Sequence, residues 1–162
     1  MKRILLMMVG ILLALVVAAP MVSAQSNGGK PTHVDEEPID LDSGAVFGNC
    51  DFPVRLEYSG KAKTLQLPGE RFIFTSPGLT ATLTNVDSGK QETVVITGAF
   101  HQTTLENGNV VTEATGRNLL GDPEAGFVIA VGNFSYAFDA EGNLIQPLEG
   151  EGQLIDVCTL LS

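Results

Sequence analysis

An all-β domain of about eight to ten short strands, either a single small meander-like β-barrel or a β-sandwich, is the fold class this sequence predicts. Three observations carry the prediction: strict period-two alternation of apolar residues in several windows, Gly, Pro, Asn and Asp punctuation between those windows, and no helical apolar stripe capped at both ends. Both architectures bury one face of every strand. The short, hairpin-like connections favour the barrel.

The strands follow in chain order. In Asp51–Tyr58, Phe52, Val54, Leu56 and Tyr58 alternate with Asp51, Arg55 and Glu57, and Pro53, which lacks an N–H, marks an edge or a strand start. Leu79, Ala81 and Leu83 alternate with Thr80, Thr82 and Thr84, whose β-branched side chains suit an exposed pleated face. Thr93–Thr97 is a further β-rich run. Phe100–Leu105 and Val110–Thr115 flank Glu106-Asn107-Gly108-Asn109, and Asn-Gly tolerates the positive φ of a tight hairpin. In Gly126–Asp139, Phe127, Ile129 and Val131 share one face and Phe134, Tyr136 and Phe138 the other. Gly132 stands where the apolar face switches, which predicts a bulge or a sharp bend. A turn at Asp139-Ala140-Glu141-Gly142-Asn143 leads into Leu144–Leu148, and Gln153–Leu161 is the expected closing strand.

Ahead of these strands, Lys2 and Arg3 precede an apolar run from Ile4 to Ala19, then Pro20 and Val22-Ser23-Ala24. That is the pattern of a secretory signal peptide over residues 1–24, cut before Gln25. The run is shorter than the ~20 residues that span a bilayer, so the processed chain is expected to be secreted with no stable membrane span. Residues 25–43 read as a flexible acidic leader, with Asp35, Glu36, Glu37, Asp40 and Asp42 repelling one another. His33 among these carboxylates reads as part of a solvated linker rather than a metal ligand. Residues 44–162 make one all-β domain. Loss of Lys2 and Arg3 leaves 7 cations against 19 anions and takes the net charge from −10 to −12. With no Lys/Arg cluster, nucleic acid is an unsuitable partner.

Export also bears on the two cysteines. Cys50 precedes the first clear strand and Cys158 lies in the last, so a disulfide between them predicts that the two ends of the domain are neighbours.

The chemistry-bearing residues are sparse. His101 is a lone imidazole in a strand, without a paired acid or a nucleophilic Ser. Arg117 and Asp122, in Thr115-Gly-Arg-Asn-Leu-Leu-Gly-Asp-Pro-Glu124, form either a structural ion pair or a pocket mouth in which Arg117 grips a carboxylate. Tyr136 belongs to the aromatic set able to line a ligand cavity. Asp139–Asn143 offers oxygens for Ca²⁺, but the same residues build an ordinary turn. Asn133-Phe134-Ser135 is a glycosylation sequon inside a strand. The sequence contains no catalytic set, implies no cofactor and marks no metal site.

Cys50-Asp-Phe-Pro-Val54, Thr115-Gly-Arg-Asn-Leu-Leu120, Gly132–Asp139 and Asp156-Val-Cys158 together resemble small exported bacterial β-domain proteins over most of residues 48–162. The resemblance implies secretion and a β domain and transfers no functional residue. Size and strand count also resemble barrels of the allene oxide cyclase and dirigent type. The expected function is a secreted, non-enzymatic binding or interaction domain for a small apolar molecule, a wall polymer or a protein. Ligand contacts are expected at Arg117, Asp122, His101 and Tyr136. Two alternatives stand beside it: an isomerase- or cyclase-like enzyme working in a barrel mouth, and a structural cell-surface protein.

Overall fold

The computed structural model describes residues 30–34, 37–42 and 50–162. The expected signal peptide at 1–24 lies outside the described residues, as do positions 25–29, 35–36 and 43–49. Among the described residues ten strands form one antiparallel sheet. In chain order these are β1 (Thr32–Val34), β2 (Ile39–Leu41), β3 (Val54–Leu67), β4 (Arg71–Thr75), β5 (Thr80–Asn85), β6 (Gln91–Val95), β7 (Ala99–Thr104), β8 (Val110–Asp122), β9 (Gly126–Phe138) and β10 (Leu144–Asp156), followed by a short helix, α1 (Val157–Leu161). The all-β expectation is borne out.

The registers show a meander of long, creased runs. β4 and β5 lie end to end along β3: Lys63 pairs with Thr75 and Ser59 with Thr80, so one extra residue is accommodated at Ser76–Leu79. β6 and β7 continue the pattern on β5 and β4. β1 and β2 line β3 in the same way, Val34 opposite Gly60 and Ile39 opposite Leu56. Val54 pairs with both Leu41 and Asn85, which puts β2 on the edge of β3 opposite β5. Thus part of the stretch read as a flexible leader forms strands. Val34, Ile39 and Leu41 pack against the core, and Arg55 grips Asp40 with Nε–Oδ1 at 2.7 Å and Nη2–Oδ2 at 2.9 Å. That hydrogen bond outweighs desolvation and, with the guanidinium charge adding to it, holds Asp40 below the usual carboxylate range. Composition averaged over five acids hides three apolar side chains placed to reach a neighbouring core.

The sheet is open, which corrects the expectation of a β-barrel. β8 follows β7 only to Thr115 opposite Ala99, and beyond that point it parts from β6. β10 pairs with β9 and with no other strand among the described residues. The gap between the approach to β3 and the end of β10 is spanned by the Cys50–Cys158 disulfide, Cα–Cα 5.0 Å, instead of a ladder. The cause lies in the distal halves of β8 and β9, which turn inward and fill the space a closed barrel would enclose. Gly126–Ala130 is buried at every position. Phe127 and Ile129 join Val54, Leu56, Leu79, Ala81, Leu83, Ile96, Val157 and Leu161 in one core. Val128 and Ala130 join Leu120, Ala114 and Phe134 in a second, with Phe100, Tyr136 and Leu148 packed around it. The unbroken apolar run 127–131 is what a strand buried on both faces requires.

The inward turn occurs at a row of glycines, Gly116 opposite Gly132 and Gly132 opposite Gly152. Register runs through Gly132 without a slip, so the feature there is a bend and no bulge. The slips lie in β10, between Leu144 and Glu149. The bend is sharp enough that the Leu148 N–H, near the start of β10, donates to Asp122 at the tip of the β8–β9 hairpin (3.1 Å).

The expected closing strand Gln153–Leu161 is also corrected. It ends at Asp156, whose carboxylate caps α1 by accepting from the Thr159 N–H, and Val157 and Leu161, one helical turn apart, are fully buried. No helix among the described residues is long and apolar enough to cross a membrane.

Candidate interaction edge

Strand geometry separates the four residues expected to contact a ligand. Arg117 and Asp122 both lie on β8, five positions apart. Alternation puts them on opposite faces, roughly 17 Å apart along the strand, and no ion pair joins them. Arg117 is half-buried opposite Val131. Asp122, only 5% exposed, is occupied by the backbone. One carboxylate oxygen accepts the N–H groups of Glu124 (2.9 Å) and Ala125 (2.8 Å), and the other accepts Leu148. Asp122→Ala strands three donors and is expected to cost about 3 kcal/mol, with faster amide exchange at Leu148. Asp122→Asn keeps an oxygen for the turn and is expected to recover about half of that.

His101 is exposed on β7, in register between Ile73 and Glu113. Tyr136 is on the opposite face, in the row Gln102–Thr112–Tyr136, with Phe138 edge-on at 5.8 Å. Burial pushes the Tyr136 phenol above its ordinary value of 10.0, and a hydrogen bond from Thr112 offsets part of the shift. The neutral phenol's contribution to stability is therefore present below that value and is lost as pH rises through the folded-state pKa. In a phenolate absorbance titration Tyr136→Phe is expected to remove a step above the ordinary tyrosine range and to flatten the alkaline limb of the stability profile. An unchanged titration would disprove the assignment.

At Asp139 the turn uses both carboxylate oxygens. They accept the N–H groups of Glu141 (3.1 Å) and Asn143 (2.7 Å) and the Asn143 side-chain amide (2.8 Å), and the amide in particular lowers the Asp139 pKa. No group of three or more His, Cys, Asp or Glu side chains placed to hold a metal ion occurs among the described residues. Where β6 and β8 part, Thr75–Pro77, Thr97–Ala99, Thr115 and Gly116 line a depression of about 300 Å³. It contains no charged side chain, and the Ser76 hydroxyl beneath it is engaged by the Ile96 and Gly98 carbonyls.

A different feature remains open. From Glu149 to Asp156, β10 keeps unbroken register with β9, Glu149 opposite Ser135 through Asp156 opposite Val128. Residues 149–154 are exposed at every position. Along such a strand every second residue turns its N–H and C=O outward, and no strand among the described residues meets them. The outer side of β6 differs, because α1 packs beside it and Lys90 Nζ donates to the Ser162 carbonyl. One face of the β10 edge carries Glu149 and Glu151, and Glu113 lies further in on the row Glu113–Ser135–Glu149. The other face presents Gly150, Gly152 and the 41%-exposed Leu154. In the sequence, Glu149–Gly152 reads as an interruption between two strands. Edge status depends on topology and left no local signal.

No protein-family model, no curated protein and no solved structure matches the chain.

Proposed function

We propose that this chain is a secreted, non-enzymatic interaction domain that receives an extended segment of another protein along β10 as an added strand. The observation that carries the reading is the regular run Glu149–Asp156, exposed over residues 149–154 and met on its outer side by no strand among the described residues. A free ladder of this length is a template for strand addition, in which main-chain hydrogen bonds supply affinity and alternate side chains supply selectivity. The packed interior supports the same reading, because β9 is buried from both faces where a small apolar ligand would need room. So does the separation of Arg117, Asp122, His101 and Tyr136, which gives an isomerase- or cyclase-like reading no assembled set of polar groups.

The test is selection of extended peptides from a random display library on the purified domain, followed by amide hydrogen exchange. Selected peptides are expected to protect outward-facing amides of residues 149–156. Failure to select any binder, or protection confined to β7 and β8, would overturn the proposal.

A further inference from the structure

The chemistry of the β10 edge specifies its partner. Resting on the strand-addition reading above, we propose that the segment docking there carries Lys or Arg at alternate positions on one face and small or apolar residues on the other, and that it is not a second copy of this chain.

Glu149 and Glu151 are two residues apart on one strand and therefore project from the same face. The basic side chains nearest by register on that face lie well inside the sheet. Arg117 is on β8, in the row Arg117–Val131–Gln153, and His101 is on β7, in the row His101–Glu113–Ser135–Glu149. Among the described residues neither carboxylate has a hydrogen bond or ion pair, which leaves both to meet charges on an incoming strand. Opposite charges facing each other across a strand pair stabilise it, and like charges destabilise it.

The same rule opposes self-pairing along this edge in the registers centred on Gly150 or Glu151. An antiparallel pair of two copies centred on Gly150 sets Glu149 of each against Glu151 of the other, two like-charge contacts within three positions. On the opposite face Gly150 and Gly152 carry no side chain, and a Cβ built on Gly152 would already lie 3.0 Å from the Phe134 ring. Next to them Leu154 stands exposed. An incoming strand therefore meets two positions without side chains and then an apolar side chain on this face, which suits Thr or Val there.

Three capped peptides test the proposal on the full processed chain: TKVKVKT, its glutamate counterpart TEVEVET and its glutamine counterpart TQVQVQT. The lysine peptide is expected to bind about tenfold more tightly than the glutamine peptide, to weaken as salt is raised, and to protect the amides of residues 149–154. The glutamate peptide is expected not to bind. Glu149→Lys combined with Glu151→Lys changes only exposed side chains and should invert the order of the lysine and glutamate peptides. N-methylating alternate amides of the lysine peptide keeps its charge and removes its ladder, and should abolish protection. Equal protection by all three peptides would overturn the charge rule and leave strand addition standing. Protection by none, or undiminished binding of the N-methylated peptide, would overturn strand addition itself. A dimer of the unmodified chain formed through residues 149–154 would overturn the exclusion of a second copy.

Discussion

Replacing Cys50 and Cys158 by Ser is expected to lower unfolding free energy by about 3–5 kcal/mol, among the largest single losses available in this fold. The bridge joins residues separated by 108 positions. A loop of about 100 residues carries roughly 4.7 kcal/mol of closure entropy in the chain model, an upper figure because reduced chains retain some structure. Topology adds to the effect. In a closed barrel the first and last strands would be held by a ladder even after reduction. Here β10 has no partner beyond β9 among the described residues, and α1 packs beside β5 and β6, with Asn85 Nδ2 donating to the Leu161 carbonyl. Cys50 is itself part of the first core, alongside Val157 and Leu161, so without the bridge the helix loses its anchor to the start of β3. Urea unfolding of the double variant should show a midpoint lowered by about 2 M, given slopes of ~1–3 kcal/mol/M for a domain of this size. A shift below about 0.5 kcal/mol would mean that packing of α1 alone holds the two ends together.

The residues that announced themselves in the sequence are those whose environment is set within one strand. Leu56 and Leu83, read as inward-facing from alternation, are direct cross-strand partners in the core. Asn107-Gly108 makes the expected hairpin, with the Leu105 N–H donating to Asn109 and Gly108 at φ +84°. What stayed hidden depends on partners far along the chain. Ser59–Leu67 has only Ala62, Leu65 and Leu67 as apolar residues, among two Lys, a Ser and a Thr, yet it is a strand because β4 and β5 pair with it. Arg71–Thr75 is one for the same reason, lying between β3 and β7. Val128 and Ala130 are buried although their neighbours already face a core, since the hairpin tip lies between two cores. Val157–Leu161 looks β-like by composition, and only the Asp156 cap and the one-turn spacing of Val157 and Leu161 betray a helix. The β10 edge belongs with these, since its exposure is decided by which strand comes last in the meander.

Gly132→Ala is expected to destabilise the domain by about 3–5 kcal/mol, and Gly69→Ala by only about 1 kcal/mol, although both residues have positive φ. At Gly69, φ is +75° and nothing lies within 4 Å of an added Cβ, so the cost is the left-handed backbone alone. At Gly132, φ is +146° and the Cβ would stand 2.2 Å from the Glu151 carbonyl oxygen and 2.8 Å from the Gly152 Cα. These are backbone atoms of the paired strand, and they cannot retreat without opening the β9–β10 ladder at the point where both strands bend. Relieving the clash means straightening the bend, and straightening withdraws Phe127 and Ile129 from one core and Val128 and Ala130 from the other. The two glycines therefore separate conformational preference from close approach, and comparing their denaturation midpoints measures the second directly. If Gly132→Ala costs no more than Gly69→Ala, the row Gly116–Gly132–Gly152 is not what turns the β8–β9 hairpin inward, and the sheet must owe its open form to another cause. If the larger loss is found, faster amide exchange should appear first at residues 149–154. Among the described residues these have β9 as their one strand neighbour, so the close approach at Gly132 that lets both strands bend also keeps the proposed docking edge paired.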